Sequence, residues 1–194
     1  MKPITRLGLF GGSFNPVHLG HLLVAQAAWE ELELDRLVFI PAAQSPFKPG
    51  AELAPAPLRL CLLRLALAGA SQFEIDGQEL DRGGVSYTID TVRDYARRFA
   101  GAGLYYLIGA DLVAQLPEWR EADALARSVE FVLIPRPGEA PPALPAPFRI
   151  RPLRGFPLGV SASQIRERVK AGQPIDWLTP PAVAECIRNN RLYL

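Results

Sequence analysis

Residues 11–21 read Gly-Gly-Ser-Phe-Asn-Pro-Val-His-Leu-Gly-His, and this stretch decides the fold. The apolar residues 7–10 precede it and predict a short buried strand, whereas residues 22–29 predict a helix. A glycine-rich turn from a strand into a helix leaves backbone N–H groups free at the positive end of the helix. The stretch therefore predicts a phosphate-binding turn, and it contains both histidines of the chain, His18 and His21.

Strand-like and helix-like segments alternate along the rest of the chain. This alternation predicts an α/β fold with a doubly wound, mostly parallel, Rossmann-like sheet and helices on both faces. Residues 81–84 predict a turn between two short strands, and Thr88 is expected to cap the helix that follows it. The strand candidates are residues 35–41, 73–76, 85–87, 104–108, 130–134 and 148–150, and the later helix candidates are 58–69, 88–99, 121–127, 161–172 and 180–187.

Length and charge limit the organisation of the chain and its partners. We expect one domain, residues 1–194, with a C-terminal helical part, residues 160–194, packed on it. A formal net charge of +1 gives no general basic field, so a nucleic acid polymer is not an expected partner. The sequence leaves open whether the chain forms a homo-oligomer.

The expected cellular compartment is inferred from three features that the sequence lacks: a membrane-spanning run, a signal peptide and paired cysteines. No apolar run approaches the length of about 18 residues that a membrane-spanning helix needs. The first residues, Met-Lys-Pro-Ile-Thr-Arg, do not resemble a signal peptide. Cys61 and Cys186 are isolated, which is typical of a reducing compartment. These observations predict a cytoplasmic protein without membrane partners.

Several polar residues follow predicted strands at the same edge of the sheet. Ligands of such sheets bind beyond the carboxyl ends of the strands. The turn at Gly11, the loop with Lys48, residues 109–111 and Arg136 all lie at such ends. Residues 161–166 open a helix with a capping-box pattern, Ser161 with Gln164, and would join them. We therefore expect one shared pocket.

The two histidines leave three interpretations open. Residues 11–21 contain neither the dinucleotide Gly-x-Gly-x-x-Gly pattern nor a Walker A lysine. A zinc site would need further ligands, and the chain has no third histidine and no paired cysteines, so a metal site would depend on carboxylates. The histidines would otherwise donate to phosphate, or would merely satisfy a turn.

Residues 12–21 resemble the signature of the HxGH nucleotidyltransferase superfamily. Within it, the chain is most similar to bacterial nicotinate-nucleotide adenylyltransferases. The likeness covers nearly the whole chain in order, whereas the first motif alone would indicate only the superfamily. The further similar segments are residues 41–48, 86–91, 109–111, 116–119, 134–138 and 160–166.

This resemblance implies transfer of the adenylyl group of ATP to nicotinate mononucleotide, with Mg²⁺ bound mainly by the ATP phosphates rather than by protein ligands. It implies catalytic roles for His18, His21, Lys48 and Arg166. The implied ATP site contains those two histidines and Arg166 together with Gly11, Gly12, Ser13, Phe14, Gly20, Gly109, Asp111, Ser161 and Ser163. The implied site for the mononucleotide contains Ser13, Asn15, Lys48, Tyr87, Thr88, Trp119 and Arg136.

Physical reasoning assigns roles within this implied reaction. A phosphate monoester has a second pKa of about 6, so the attacking phosphate is ionised at neutral pH and needs no general base. The histidines are therefore expected to donate hydrogen bonds to the ATP phosphates. The indole of Trp119 suits a flat nicotinate ring, and the helix N-terminus at Thr88 suits its carboxylate. Arg166 and Lys48 are expected to hold the two anions in line.

Four positions depart from the family pattern. Phe47 stands where the family usually has histidine, so Lys48 would act without a neighbouring imidazole. Ala162 and Ser163 replace Ser and Thr, which removes one hydroxyl. Asn15 stands where Asp is common, which removes a charge beside the phosphates.

Two other functions stay open at this point. A sister enzyme, such as a phosphopantetheine adenylyltransferase or a cytidylyltransferase, would share the first motif. It would give no reason for the segment 86–88 and Trp119 to occur together. A non-catalytic nucleotide-binding module is the second alternative, and the intact histidines argue against it.

Overall fold

Six parallel strands form one sheet in the part of the chain that the computed structural model describes, which is residues 3–47, 50, 52–135, 138, 142–156 and 158–194. Their order is β3-β2-β1-β4-β5-β6, and every neighbouring pair is parallel. The doubly wound prediction is confirmed, and the sheet is parallel throughout. The strands are β1 (Arg6–Gly12), β2 (Arg36–Pro41), β3 (Phe73–Ile75), β4 (Gly103–Gly109), β5 (Glu130–Ile134) and β6 (Ile150–Pro152).

The central strand β1 marks the reversal of strand order. It pairs with β2 on one side and β4 on the other, so the sheet grows outward from it in both directions. Ligands of open α/β sheets bind at this point, beyond the carboxyl ends of the strands. Because β1 ends at Gly12 and β4 ends at Gly109, two predicted glycine turns open side by side there.

Helices connect the strands and cover both faces. Two predictions are wrong, because contacts between residues far apart in the sequence determine the structure here. Residues 81–84 are not simply a turn, since Asp81 and Arg82 belong to a helix. Residues 85–87 form no strand beyond one bridge between Gln44 and Val85. The helices are α1 (Leu19–Glu31), α2 (Ala56–Ala66), α3 (Gln78–Arg82), α4 (Thr88–Arg98), α5 (Ala110–Val113), α6 (Ala122–Ser128), α7 (Ala162–Lys170) and α8 (Pro181–Asn189), with a 3₁₀ turn at Leu116–Glu118.

The first strand contributes to two hydrophobic clusters, one on each face of the sheet. Leu7 and Leu9 pack with residues of α4 and α6. Phe10 packs with residues of α1, α2, α7 and α8. Burial on both faces explains why this strand is an apolar run rather than an alternating pattern.

The C-terminal helices pack against the same face as α1. Ile165 of α7 and Val183 of α8 are fully buried in the cluster that contains Phe10. The amide of Leu19, at the start of α1, donates to the carbonyl of Leu178 at 3.0 Å. These contacts pack α7 and α8 into the cluster on this face, and a single domain with residues 160–194 as its C-terminal helical part stays our prediction. Of the described helices, none is both long and apolar enough to cross a membrane.

Candidate active site

A cavity of about 890 Å³ opens where β1 ends. It is formed by the turn after β1, the segment before α2, the first turn of α7 and the residues that follow α8. Sequence analysis predicted a shared pocket at this edge, and the structure brings several of the predicted residues to it. Those that line the cavity are Gly12, Ser13, Phe14, Asn15, His18, His21, Ser161, Ser163 and Arg166.

The two histidines face each other at the start of α1. His18 is the residue before the helix, and His21 lies in its first turn, so their ring centroids are 3.7 Å apart. The backbone N–H of His18 donates to Nδ1 of His21 at 3.2 Å. Because Nδ1 of His21 is an acceptor, the proton of its neutral ring resides on Nε2. The hydrogen bond from the main chain therefore fixes the tautomer in which Nε2 of His21 is a donor.

Burial controls the charge of both rings. The side chain of His18 is almost fully buried, and this burial lowers the pKa of His18 to about 4. Burial, and then the nearby charge of His18, lowers the pKa of His21 well below its usual value. Nδ1 of His18 is buried and has no hydrogen-bond partner among the described residues. Both imidazoles are therefore neutral in the free protein at neutral pH, and Nε2 is the nitrogen of His18 left to meet a ligand.

Acid is expected to destabilise the free protein through His18. In the unfolded chain His18 binds a proton below about pH 6.5, whereas in the folded chain it does so only below about pH 4. The free energy of unfolding is therefore highest above pH 6.5 and decreases as the pH falls from 6.5 to 4. From pH 7 to pH 5 the free energy of unfolding should decrease by about 2 kcal/mol from this group. Urea unfolding at both values measures it.

The variant His18→Gln is the matched control for this pH effect, because it keeps a polar side chain that does not titrate. Its free energy of unfolding should fall less between pH 7 and pH 5 than that of the wild type. An equal fall in both proteins would show that His18 titrates normally in the folded chain.

Two helix N-termini line the same cavity. His18 directly precedes α1 and His21 lies in its first turn, while Ser161 and Ser163 lie at the start of α7. The predicted cap is confirmed: the Ser161 hydroxyl accepts from the Gln164 amide at 3.2 Å, and the Gln164 side chain accepts from the Ser161 amide at 2.9 Å. Both positive helix ends therefore favour an anion in this cavity.

Arg166 connects α7 to the turn after β1. Its Nη1 donates to the carbonyl of Asn15 at 2.8 Å, and its Nη2 donates to the hydroxyl of Ser163 at 3.1 Å. The Asn15 side chain is itself engaged, since its amide donates to the carbonyl of Glu52 and its oxygen accepts from the amide of Ala54. Asn15 thus shapes the turn, and its contact with a substrate stays a prediction.

Two glycines are required by close approach of other groups. A Cβ atom on Gly11 would lie 2.2 Å from the hydroxyl oxygen of Tyr106, which is itself 3.4 Å from the hydroxyl of Thr88. A Cβ atom on Gly20 would lie 3.0 Å from Nδ1 of His18. The missing side chain at position 20 therefore makes room for the His18 ring.

The variant Gly11→Ala is expected to destabilise the protein by about 1–3 kcal/mol, because the buried Tyr106 must move away from the added methyl group. Thermal or urea unfolding measures the loss. The double variant Gly11→Ala/Tyr106→Phe should recover part of it, since the nearest oxygen is removed. Gly77→Ala is the matched control, because the nearest atom to its Cβ lies 3.9 Å away. Equal stability of the Gly11 and Gly77 variants would contradict the prediction.

Three residues expected to bind the second substrate, Tyr87, Thr88 and Trp119, lie beside the other face of the sheet. The prediction that Thr88 caps α4 is wrong, because Tyr87 is the residue before the helix and Thr88 is the first helical residue. The Thr88 hydroxyl donates to the hydroxyl of Tyr106. Arg120 lies over the ring of Tyr87 at 4.7 Å. Tyr106 also contacts Trp119 edge to face, at 6.3 Å between ring centroids. Tyr106 therefore links these residues to the turn at Gly11.

Trp119 does not present an open platform in this structure. Its side chain is 7% exposed, and the Phe47 ring stacks on it at 5.4 Å between centroids. Its indole nitrogen is buried without a hydrogen-bond partner among the described residues. The sequence could not show this packing, because Phe47 and Trp119 are far apart in the chain. Access of a flat ring to Trp119 requires Phe47 to move.

The remaining predicted residues divide into two groups. Gly109 and Asp111 lie where β4 gives way to α5, next to the end of β1, and an Asp111 carboxylate oxygen lies 2.5 Å from where a Cβ atom on Gly109 would be. Lys48 and Arg136 lie outside the described residues. The described part of the chain holds no cluster of three or more metal-binding side chains, and Mg²⁺ on ATP phosphates stays an expectation.

Residues at the cavity that were not predicted from the sequence include Tyr193, which lines it, and Arg59, which lies behind it. The Tyr193 hydroxyl donates to the side-chain oxygen of Asn15 at 2.9 Å. Arg59 is 2% exposed, and burial lowers its pKa. Helical spacing gave a signal for it, because Leu62 and Leu63 lie three and four positions further along α2 and share its buried face. No comparable pattern marks Tyr193.

Comparisons with known proteins show the family and the fold of the chain. Residues 9–168 match the model of a family described as cytidylyltransferase-like. Proteins named "probable nicotinate-nucleotide adenylyltransferase" are 39% identical in Opitutus terrae, covering 97% of both chains, and 41% identical in Thermus thermophilus, covering 97% of this chain and 99% of the relative. A structure of Plasmodium falciparum nicotinic acid mononucleotide adenylyltransferase complexed with NaAD has the same fold, with TM-score 0.75, 16% identity and 97% coverage of each chain.

Proposed function

Because the chain belongs to the nicotinate-nucleotide adenylyltransferases of the cytidylyltransferase-like family, we propose that it transfers the adenylyl group of ATP to nicotinate mononucleotide. The products are nicotinate adenine dinucleotide and pyrophosphate, and the reaction belongs to NAD biosynthesis. Relatives of the same length, matched over nearly their whole sequence, support this enzyme class.

One observation carries the proposal: two neutral imidazoles and two helix N-termini line a single cavity. His18 and His21 lie 3.7 Å apart between ring centroids, and the first turn of α7 lies in the same cavity wall. The cavity wall offers these donors and positive helix ends together with the cations Arg166 and Lys170, and Glu52 is the one acidic side chain among the described residues that line it. It therefore suits a triphosphate better than a neutral ligand.

The histidines act as donors rather than bases. The attacking 5′-phosphate is ionised at neutral pH, because its second pKa is about 6, so no proton has to be removed from it. The bond between His18 N–H and Nδ1 of His21 leaves Nε2 of His21 to donate. Charge grows on the leaving pyrophosphate as its bond to the α-phosphorus breaks, and donors placed in advance stabilise that charge.

Anion binding changes the charge of this pair. Burial keeps both rings neutral in the free protein, while bound phosphates favour the protonated form and raise the pKa of each imidazole. Mg²⁺ bound to the ATP phosphates would offset further negative charge, and we propose it as the divalent ion.

Positioning is the second contribution of the protein. Arg166 is fixed by Asn15 and Ser163 at the cavity wall, and we propose that it orients the phosphates of ATP. Holding two anions in line supplies up to about 7–11 kcal/mol of a barrier of this kind. We propose that Lys48 and Arg136 hold the phosphate of the mononucleotide, and that Gly109 and Asp111 contact the adenosine.

The second substrate is proposed to bind beside Tyr106. Thr88 and Trp119 contact this tyrosine next to the turn at Gly11, and Tyr87 directly precedes Thr88. The N-terminus of α4 at Thr88 suits the nicotinate carboxylate, because its backbone donors and helix dipole favour an anion. The indole of Trp119 would stack on the nicotinate ring after Phe47 has moved from it.

We propose that the chain works in the cytoplasm as a single domain. Neither Cys61 nor Cys186 belongs to a Cys-x-x-Cys pattern, which is typical of a protein from a reducing compartment. A formal net charge of +1 agrees with small nucleotides rather than nucleic acid polymers as partners.

A panel of substrates tests the proposed function. Purified protein is mixed with Mg²⁺, a nucleoside triphosphate and one phosphate acceptor, and the organic product and pyrophosphate are both quantified. ATP with nicotinate mononucleotide should give the dinucleotide and equimolar pyrophosphate. Product only from phosphopantetheine, or only from CTP, would indicate a sister enzyme instead. The pair of nicotinate and nicotinamide mononucleotides establishes which ring the site prefers.

A further inference from the structure

Arg59 is a buried cation directly behind the turn that follows β1. It lies on α2 and is 2% exposed, although arginine is rarely buried in this way. Among the described residues it has carbonyl partners and no acidic one. Burying a charge without an acidic partner is costly, so the hydrogen bonds that Arg59 makes must offset this cost.

The guanidinium of Arg59 joins three separate segments through main-chain carbonyls. Its Nη1 donates to Ser13 at 2.7 Å and to Ala42 at 2.8 Å, and its Nε donates to Ala54 at 3.1 Å. These segments are the turn after β1, the end of β2 and the stretch before α2. The planar fork of donors therefore fixes their relative positions, which a flexible ammonium would do less well.

Two of the three bonded residues belong to the cavity wall. Ser13 and Ala54 line the cavity, whereas Arg59 itself does not. In a trans peptide the C=O and the following N–H point in opposite directions. Since the Ser13 carbonyl points to Arg59, the N–H of Phe14 points away from it. Arg59 thus sets the direction of a backbone donor in the turn that lines the cavity.

The charge of Arg59, like its hydrogen bonds, favours binding of an anion in the cavity. Burial lowers its pKa, but a guanidinium remains protonated at neutral pH. The bonded carbonyl of Ser13 is polarised by this charge, and its peptide N–H becomes a stronger donor. In a buried setting the positive charge also reaches an anion in the cavity with little screening.

We propose that Arg59 is a positioning residue for the triphosphate of ATP, which acts by holding the turn at Ser13 from behind. The proposal rests on the function proposed above, because it names how that site recognises phosphate. It gives Arg59 no contact with the substrate. It therefore predicts a loss of affinity for phosphates and not for the nucleoside.

Calorimetric titration tests this assignment with three ligands: ATP, adenosine and inorganic pyrophosphate. The test variant is Arg59→Lys, which keeps the charge but loses the fork. The matched control is Arg64→Lys on the same helix, whose side chain is exposed. Arg59→Lys should bind ATP and pyrophosphate about tenfold more weakly, the size expected for one charge-assisted hydrogen bond, while adenosine affinity and all affinities of Arg64→Lys stay within about twofold of the wild type.

Two outcomes would overturn the assignment. Unchanged ATP affinity in Arg59→Lys would show that the fork is not needed, and an equal loss for ATP and adenosine would show general loosening. If the variant does not fold, the unaltered protein is used: the NMR signal of the Arg59 Nε–H should shift on saturation with pyrophosphate, and an unmoved signal overturns the assignment.

An assay of dinucleotide formation distinguishes failure of this inference from failure of the proposed function. An inactive wild type that binds no ATP would refute the proposed function. An active wild type whose Arg59→Lys variant binds ATP normally would refute only the role of Arg59.

Discussion

Replacing His18 by alanine should lower kcat for dinucleotide formation by about 10²–10³-fold, the size of the loss when one preorganised donor is removed. The KM for ATP should change much less, because the imidazole contributes chiefly as charge develops on the leaving pyrophosphate. Steady-state kinetics with ATP varied at saturating nicotinate mononucleotide measures both constants. Unfolding measurements under the assay conditions establish that the variant is folded.

Two further variants identify the nitrogen that donates. The amide of His18→Gln reaches the position of Nε2, whereas that of His18→Asn reaches the position of Nδ1. Because Nδ1 of His18 is buried beside Gly20, we expect Gln to retain more activity than Asn. Near-normal kcat in His18→Ala would remove this histidine from the mechanism.

Replacing Arg166 by methionine should lower kcat/KM for ATP by about 10²-fold, with a clear rise in KM. Its guanidinium lies in the cavity wall and is held by the Asn15 carbonyl and the Ser163 hydroxyl. The variant loses a fixed positive charge near the phosphates, and it also leaves the Asn15 carbonyl without this donor. Initial rates at subsaturating ATP measure the effect.

Arg168→Met is the matched control for Arg166→Met. Arg168 lies on the same helix, but its Nε donates to the carbonyl of Pro174, away from the cavity around the histidines. Its kcat/KM should remain within about twofold of the wild type, as for most surface substitutions. Equal losses in both variants would mean that α7 matters only for folding.

The fold was largely accessible from local patterns. Apolar runs such as residues 7–10 predicted buried parallel strands, and their alternation with helical patterns predicted the doubly wound sheet. Short elements were less accessible, because tertiary contacts stabilise them. The helix α3, for example, is supported by the buried Glu79, which accepts from Thr91 of α4 at 2.6 Å.

The candidate site could be predicted from the sequence where a motif places side chains on one turn. The spacing of His18 and His21 puts both rings at the N-terminus of α1, and Ser161 with Gln164 forms the predicted cap. The charge state of the histidines was not accessible. It depends on burial by residues far apart in sequence and on a hydrogen bond from the main chain of His18.

Contacts to main-chain carbonyls explain why Arg59 was missed. Its partners are carbonyls of Ser13, Ala42 and Ala54, and every residue type carries such a group. No pairing of residue types therefore marks it in the sequence. The stacking of Phe47 on Trp119 was missed for a similar reason, because it joins a loop after β2 to the 3₁₀ turn before α6.

The transfer of the adenylyl group is tested most directly by labelled ATP. Wild-type protein is incubated with Mg²⁺, nicotinate mononucleotide and ATP that carries ³²P at either the α or the γ phosphate, and the products are separated. The proposed reaction places the α label in the dinucleotide and the γ label in pyrophosphate. A γ label in the organic product, or released as free phosphate, would contradict attack at the α-phosphate and with it the account given for His18 and His21.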